Sequence, residues 1–200
     1  MITDFKDLDL SKRYTYADYI TWQFDDMVEL IKGKIFKMSP APNMKHQRVS
    51  FKLSLKIGRF LEDKKCEAFA APFDVRLPLP KKKQTKNKID TVVQPDVCVI
   101  CDLEKLDEQG CIGAPDWVVE ILSKSTSKKD LNEKYEIYQE AGVKEYWIVR
   151  PDEESVTTYL LDKSGNYKIG RVRPYLKEES VPVSIFPGFE IVLSQVFPDF

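Results

Sequence analysis

The stretch APDWVVEILS, residues 114 to 123, places one carboxylate, Glu120, inside an apolar run that reads as a buried strand. An ionised carboxylate in a low-dielectric interior is costly unless a cation meets it. The partner must be a lysine, an arginine or a metal ion. Two Pro-Asp pairs supply further acids, Pro95-Asp96 opening the strand PDVCVI and Pro115-Asp116 opening PDWVVEIL. Asp116 and Glu120 share a strand face, but four residues at about 3.3 Å each separate them by roughly 13 Å, too far to bind one ion together. Asp96 belongs to another strand, and if the two strands pair, cross-strand neighbours approach to roughly 5 Å. Asp96 and Glu120 could then ligate one hard cation at the roughly 2.1 Å that magnesium demands. Such an ion lowers the pKa of a water and stabilises charge in the transition state of phosphodiester hydrolysis. A nearby ammonium would orient the attacking water or offset the developing charge. Lys134 is the candidate, about 60° from Leu131 and about 40° from Tyr138 on a helical wheel, at the edge of a buried face. Glu120 could equally form a buried ion pair with Lys134 that catalyses nothing, and spacing leaves both readings open.

These residues depend on the elements around them. Thr15 can cap a helix over YADYITW, where Tyr16, Tyr19 and Trp22 fall on one side. VELIKGKIFKMS reads as a hairpin turning at Lys32-Gly33, with Glu29 on its first arm. From Lys45 to about Glu62, Val49, Leu53, Ile57 and Phe60 recur at helical period, which places His46 in the first turn on the inward face. EAFAAPFDVRL, VVQPDVCVI and DWVVEIL are strand-like. STSKKDLNEKYEIYQEAG reads as a helix with Ser or Thr caps before it, Gly142 after it, and Leu131, Tyr135 and Tyr138 on its buried face. KEYWIVRP and SVTTYLLD are further strands, and the remainder to Phe200 is β-rich with a short terminal turn of helix. A helix between two strands predicts a crossover and a parallel pair. The expected fold is α/β, a mixed β-sheet flanked by helices with an antiparallel C-terminal extension, in a single domain over residues 1–200.

Charge and composition narrow the function. With 31 Lys and Arg against 32 Asp and Glu the net charge is -1, so nucleic-acid binding must rest on a local patch. The run KKKQTKNK offers one, Lys81, Lys82, Lys83, Lys86 and Lys88, read either as a solvated loop or as a phosphate-contacting one. The acidic start MITDFKDLDL is unlike a signal peptide, and no apolar stretch reaches the roughly 18 to 20 residues of a membrane span, so a soluble, cytoplasmic protein is expected. Cys66, Cys98, Cys101 and Cys111 include one C-x-x-C without a second pair, and a single histidine does not complete a zinc site. Residues three apart in a strand point to opposite faces, so Cys98 and Cys101 do not converge. Reduced, half-buried thiols are expected.

Taken in order, VELIKGKIFKMSPAPNMKHQRV, FDVRL, VQPDVCVICD, GAPDWVVEILSKST, KDLNEKYEIYQEAGVKEYWIVRP and FPGFEI resemble the Uma-type restriction-endonuclease domain family of the PD-(D/E)XK nuclease superfamily. The resemblance covers most of the chain. It implies a restriction-endonuclease-like core, with Asp96 in the motif's aspartate place and Glu120 in its (D/E) place. Two residues after Glu120, where the superfamily motif has lysine, stands Leu122. The family's own pattern has its lysine in DLNEKYE, which implies Lys134 as the relocated catalytic lysine and leaves Lys124 as a substitute. Glu29 then reads as an auxiliary acid and His46 as a group supporting the ligands, while Asp74 in FDVRL matches without an assigned chemistry. The implied activity is that of a DNA endonuclease dependent on Mg2+ or Mn2+, and a homodimer would suit cleavage of both strands of a symmetric site. Leu122 favours the alternative, a catalytically inactive nuclease fold that binds nucleic acid or a protein partner. A structural or toxin-partner role is the third reading.

Overall fold

The computed structural model describes residues 2–38, 43–79, 88–123 and 128–197. The expectations for Lys81, Lys82, Lys83, Lys86 and Lys124, and for the Ser and Thr caps before Lys128, lie outside the described residues, and Lys88 is exposed. In chain order the described elements begin with α1 (Tyr16–Tyr19), β1 (Val28–Ile31), β2 (Lys34–Lys37), α2 (Met44–Leu61), β3 (Glu67–Ala70), β4 (Val75–Arg76), β5 (Val92–Val93) and β6 (Val97–Ile100). They continue with β7 (Leu106–Asp107), β8 (Gly110–Ile112), β9 (Trp117–Ile121), α3 (Lys128–Ala141), β10 (Glu145–Arg150) and β11 (Ser155–Leu161). The last are β12 (Tyr167–Ile169), β13 (Tyr175–Leu176), β14 (Ser180–Pro182) and β15 (Glu190–Val192), followed by a 3-10 turn over Leu193–Gln195.

The central sheet runs β12-β11-β10-β9-β6-β3, with β13 also on β11, and a second sheet runs β2-β1-β5-β4-β8-β7. The crossover through α3 makes β9 and β10 parallel, and every later strand pairing is antiparallel, as the sequence pattern predicts. All five residues of β9 are buried. A strand covered on both faces needs no alternation, which is why DWVVEIL reads as one apolar run. One face (Trp117, Val119 and Ile121, with Val97, Val99, Trp147 and Val149) packs against the α2 stripe Val49, Leu53, Ile57 and Leu61 and the C-terminal segment. The other face (Val118, Cys98, Ile100, Tyr146 and Ile148) packs against α3 and the second sheet through Ile137, Tyr138, Ile31, Val75 and Val93.

Local chemistry sets the element ends. Asn43 caps α2 by accepting the His46 N–H at 2.9 Å. The β1–β2 hairpin turns at Lys32 (φ 52°) and Gly33 (φ 81°), a pair in the left-handed region that two-residue hairpins require. Gly142 (φ 90°) follows α3, and the N–H groups of Gly142 and Val143 both return to the Tyr138 carbonyl.

Three sequence expectations are corrected here. EAFAAPFDVRL and VVQPDVCVI each read as one strand, but each serves both sheets: β3 and β6 belong to the central sheet, β4 and β5 to the second. Pro72 and Pro95 lie in the breaks, where a residue without an N–H cannot extend a ladder. The cysteines are not all reduced, because Cys66 and Cys101 form a disulfide while Cys98 and Cys111 are free and buried. β3 pairs Glu67 with Ile100 on β6, and the next step outward brings these two cysteines face to face across 35 residues of chain. The helix over YADYITW also ends early, at Tyr19, although Trp22 still packs against the Tyr19 ring. Among the described residues no helix is long and apolar enough to cross a membrane.

Candidate active site

The register of β6 on β9 pairs Val97 with Val119 and Cys98 with Val118. One step further sets Asp96 opposite Glu120, on the face turned toward α3. The break between β5 and β6 leaves Asp96 at the strand mouth, its side chain 19% exposed. Asp96 Oδ2 accepts the Ile121 N–H at 2.7 Å, and Oδ1 lies 3.1 Å from Nε2 of His46. His46 Nδ1 is buried and has no hydrogen-bond partner among the described residues.

Glu29 shares a strand face with Ile31, which belongs to the same core as α3, so β1 directs a third carboxylate to this place. Lys134 joins the acids, its Nζ 2.9 Å from Glu120 Oε1 and 3.0 Å from Glu29 Oε1. Tyr138, one helical turn on, donates its hydroxyl to the same Glu120 oxygen at 2.6 Å. Glu29 Oε1 also accepts the Gln94 N–H at 2.9 Å. The second oxygens of Glu29 and Glu120 receive no hydrogen bond from the described residues.

These contacts fix the electrostatics. Burial pushes the Glu120 carboxyl up to about 7, against the pull of Lys134 and with help from the Asp96 and Glu29 charges. Burial by itself would favour a neutral amine at Lys134, but Glu120 and Glu29 outweigh it and hold the ammonium well above the ordinary lysine range. Lys134 is therefore a permanent cation and donor, not a base. For His46, burial opposes charging, yet Asp96 and more distantly Glu120 raise its pKa. Three carboxylates against one fixed ammonium leave an excess of negative charge at a partly open site.

Among the described residues no group of three or more His, Cys, Asp and Glu is arranged around a metal position. The donor set is a pair of facing carboxylates with solvent access at Asp96, and magnesium, which keeps several waters and takes one or two protein carboxylates, fits such a pair.

A family model described as "Uma2: Putative restriction endonuclease" matches residues 16–194. The chain belongs to the Uma2 family. No curated protein matches it. It is similar to a crystal structure described as "a putative nuclease belonging to DUF820" from Anabaena variabilis ATCC 29413, at 21% identity and a TM-score of 0.70, over 92% of this chain and 97% of that one. At that identity the likeness establishes a shared fold.

In this Uma2-family chain the sequence-derived residues Glu29, Asp96, Glu120, Lys134 and His46 all converge. Asp116 does not: at the far end of β9 its carboxylate takes the Lys144 ammonium at 2.6 Å and the Cys101 N–H at 2.8 Å. Leu122 is half-buried against the core that holds α3, so the ammonium reaches Glu120 from α3. Sequence reasoning missed the supporting groups. Tyr138 read as core alone, although its position four residues after Lys134 was a usable signal. Asp74, left without a chemistry, accepts Gln94 Nε2 at 2.8 Å and the Tyr19 hydroxyl at 3.2 Å, and so steadies the segment whose amide holds Glu29. Burial raises the pKa of Asp74 against those two hydrogen bonds.

Proposed function

We propose that this protein is a DNA endonuclease that hydrolyses phosphodiester bonds with the help of Mg2+ or Mn2+. The observation that carries the reading is the facing pair Asp96 and Glu120 with Lys134 bound to the second of them. Asp96 and Glu120 would hold the cation, which when bound supplies Lewis-acid polarisation of the phosphate and a water of lowered pKa.

The chain's own groups do the rest. Lys134, fixed by two carboxylates, presents its ammonium beside the reacting position and offsets charge that grows on the phosphate oxygens. Tyr138 and Lys134 share one oxygen of Glu120 and leave the other without a hydrogen bond from the described residues. The Ile121 amide and His46 hold the Asp96 carboxylate against rotation. Glu29 balances Lys134 when Glu120 turns its charge elsewhere. Leu122 at the superfamily's lysine position does not argue for an inactive binding module, because an ammonium contacts Glu120 from another element.

The test is incubation of purified protein with supercoiled and linear DNA in Mg2+, Mn2+ or EDTA. Nicking or linearisation that requires the cation is expected. Salt-dependent DNA binding without cleavage under any cation would instead support the binding module.

A further inference from the structure

The solvent face of α2 carries cations and no acid. In a chain of net charge -1, Met44–Leu61 carries Lys45, Arg48, Lys52, Lys56 and Arg59 and no acid. Lys45 pairs with Asp152 and Lys56 with Gln195, while Lys52 and Arg59 make no ion pair among the described residues. Met44, Arg48, Phe51, Lys52, Leu55 and Arg59 form one exposed stripe, and Phe51 is 67% exposed. At 1.5 Å per residue, Arg48 and Lys52 are about 6 Å apart along the axis and Lys52 and Arg59 about 10 Å, over a helix about 27 Å long. The first turn of this helix is the one that presses His46 onto Asp96.

We infer that the exposed face of α2, on the side of the helix away from His46, is a track that holds the sugar-phosphate backbone of duplex DNA. Arg48, Lys52 and Arg59 on one helix face, with no acid in the helix, complement a polyanion. The inference rests on the nuclease reading for its substrate, and it assigns substrate holding to residues other than the lysine run 81–88.

Binding of a short DNA duplex, measured in EDTA so that cleavage plays no part, tests it. Each phosphate contact contributes about 0.9 to the slope of log affinity against log salt. The double variant Lys52→Gln/Arg59→Gln is expected to lower that slope by roughly 2 and to weaken binding on the order of tenfold or more near 0.1 M salt. Lys12→Gln/Lys163→Gln, the same charge change at exposed positions elsewhere, is expected to leave the slope nearly intact. Equal slopes for the two double variants, or binding to anionic lipid vesicles but not to duplex, would overturn the inference. So would a dimer in sedimentation that Phe51→Asp dissociates while the slope stays unchanged, since the stripe would then seat a second copy. Cation-dependent cleavage with an unchanged slope would reject the track and leave the nuclease site standing; a lowered slope without cleavage would do the reverse.

Discussion

Lys134→Met is expected to destabilise the protein by on the order of 3–5 kcal/mol at pH 8, the scale for removing one partner of a buried charge pair. The Lys134 side chain is 13% exposed and sits between Glu120 and Glu29, themselves 8% and 7% exposed, so its loss leaves two neighbouring carboxylates without a cation. Those carboxylates can relieve the repulsion by taking up a proton. The cost should therefore shrink between pH 8 and pH 5, which urea unfolding at the two values measures. A uniform small loss at both would mean that the ammonium is not the charge that permits Glu120 in its strand. Cleavage by any folded fraction should also fall, because the same ammonium offsets charge at the reacting phosphate.

Glu120→Gln should act in opposite directions on activity and stability. Removing one of the two cation-holding carboxylates is expected to lower cleavage on the order of 10³-fold, comparable to losing a key electrostatic group in an active site. The amide oxygen can still accept from Lys134 and Tyr138, and Glu29 still balances the ammonium, so the fold keeps its contacts. Because the folded carboxyl titrates at about 7 instead of 4.5, wild-type stability from this group is full below about 4.5 and is lost as the pH rises through about 7. At about 1.4 kcal/mol per pKa unit, the glutamine variant should gain up to about 3 kcal/mol relative to wild type in cation-free buffer at pH 8, and nothing near pH 4.5. Melting temperatures in EDTA across this range decide it. A variant that loses ground to wild type as the pH rises would contradict the electrostatics of the site.

How much of this was legible in the sequence follows from what each signal depends on. A charged residue in a strand without alternation marks Glu120 by its solvation cost, and the helical period gives the inward side of His46 and the edge position of Lys134. Placing Asp96 opposite Glu120 needed the additional premise that two strands pair, and the β6–β9 register supplies it. Other features depend on contacts that no local pattern encodes. β3 to β4 and β5 to β6 were each read as one strand because apolar runs are equally suited to either sheet, and only the prolines hinted at a break. The Cys66–Cys101 disulfide follows from the pairing of β3 with β6 and not from cysteine spacing. The Gln94 amide holds Glu29, and Tyr19 and Asp74 from two distant segments steady Gln94, a role that no local pattern in the sequence announced.

The central claim is that Asp96 and Glu120 together hold a divalent cation. Calorimetric titration with Mn2+ of wild type and of folded Glu120→Gln, at pH 8 and in the absence of DNA, measures it directly. The account predicts saturable binding near one ion per chain in wild type and its loss in the variant. Absence of binding in wild type, or equal binding in both proteins, would contradict it and leave Glu120 as one half of a buried ion pair with Lys134.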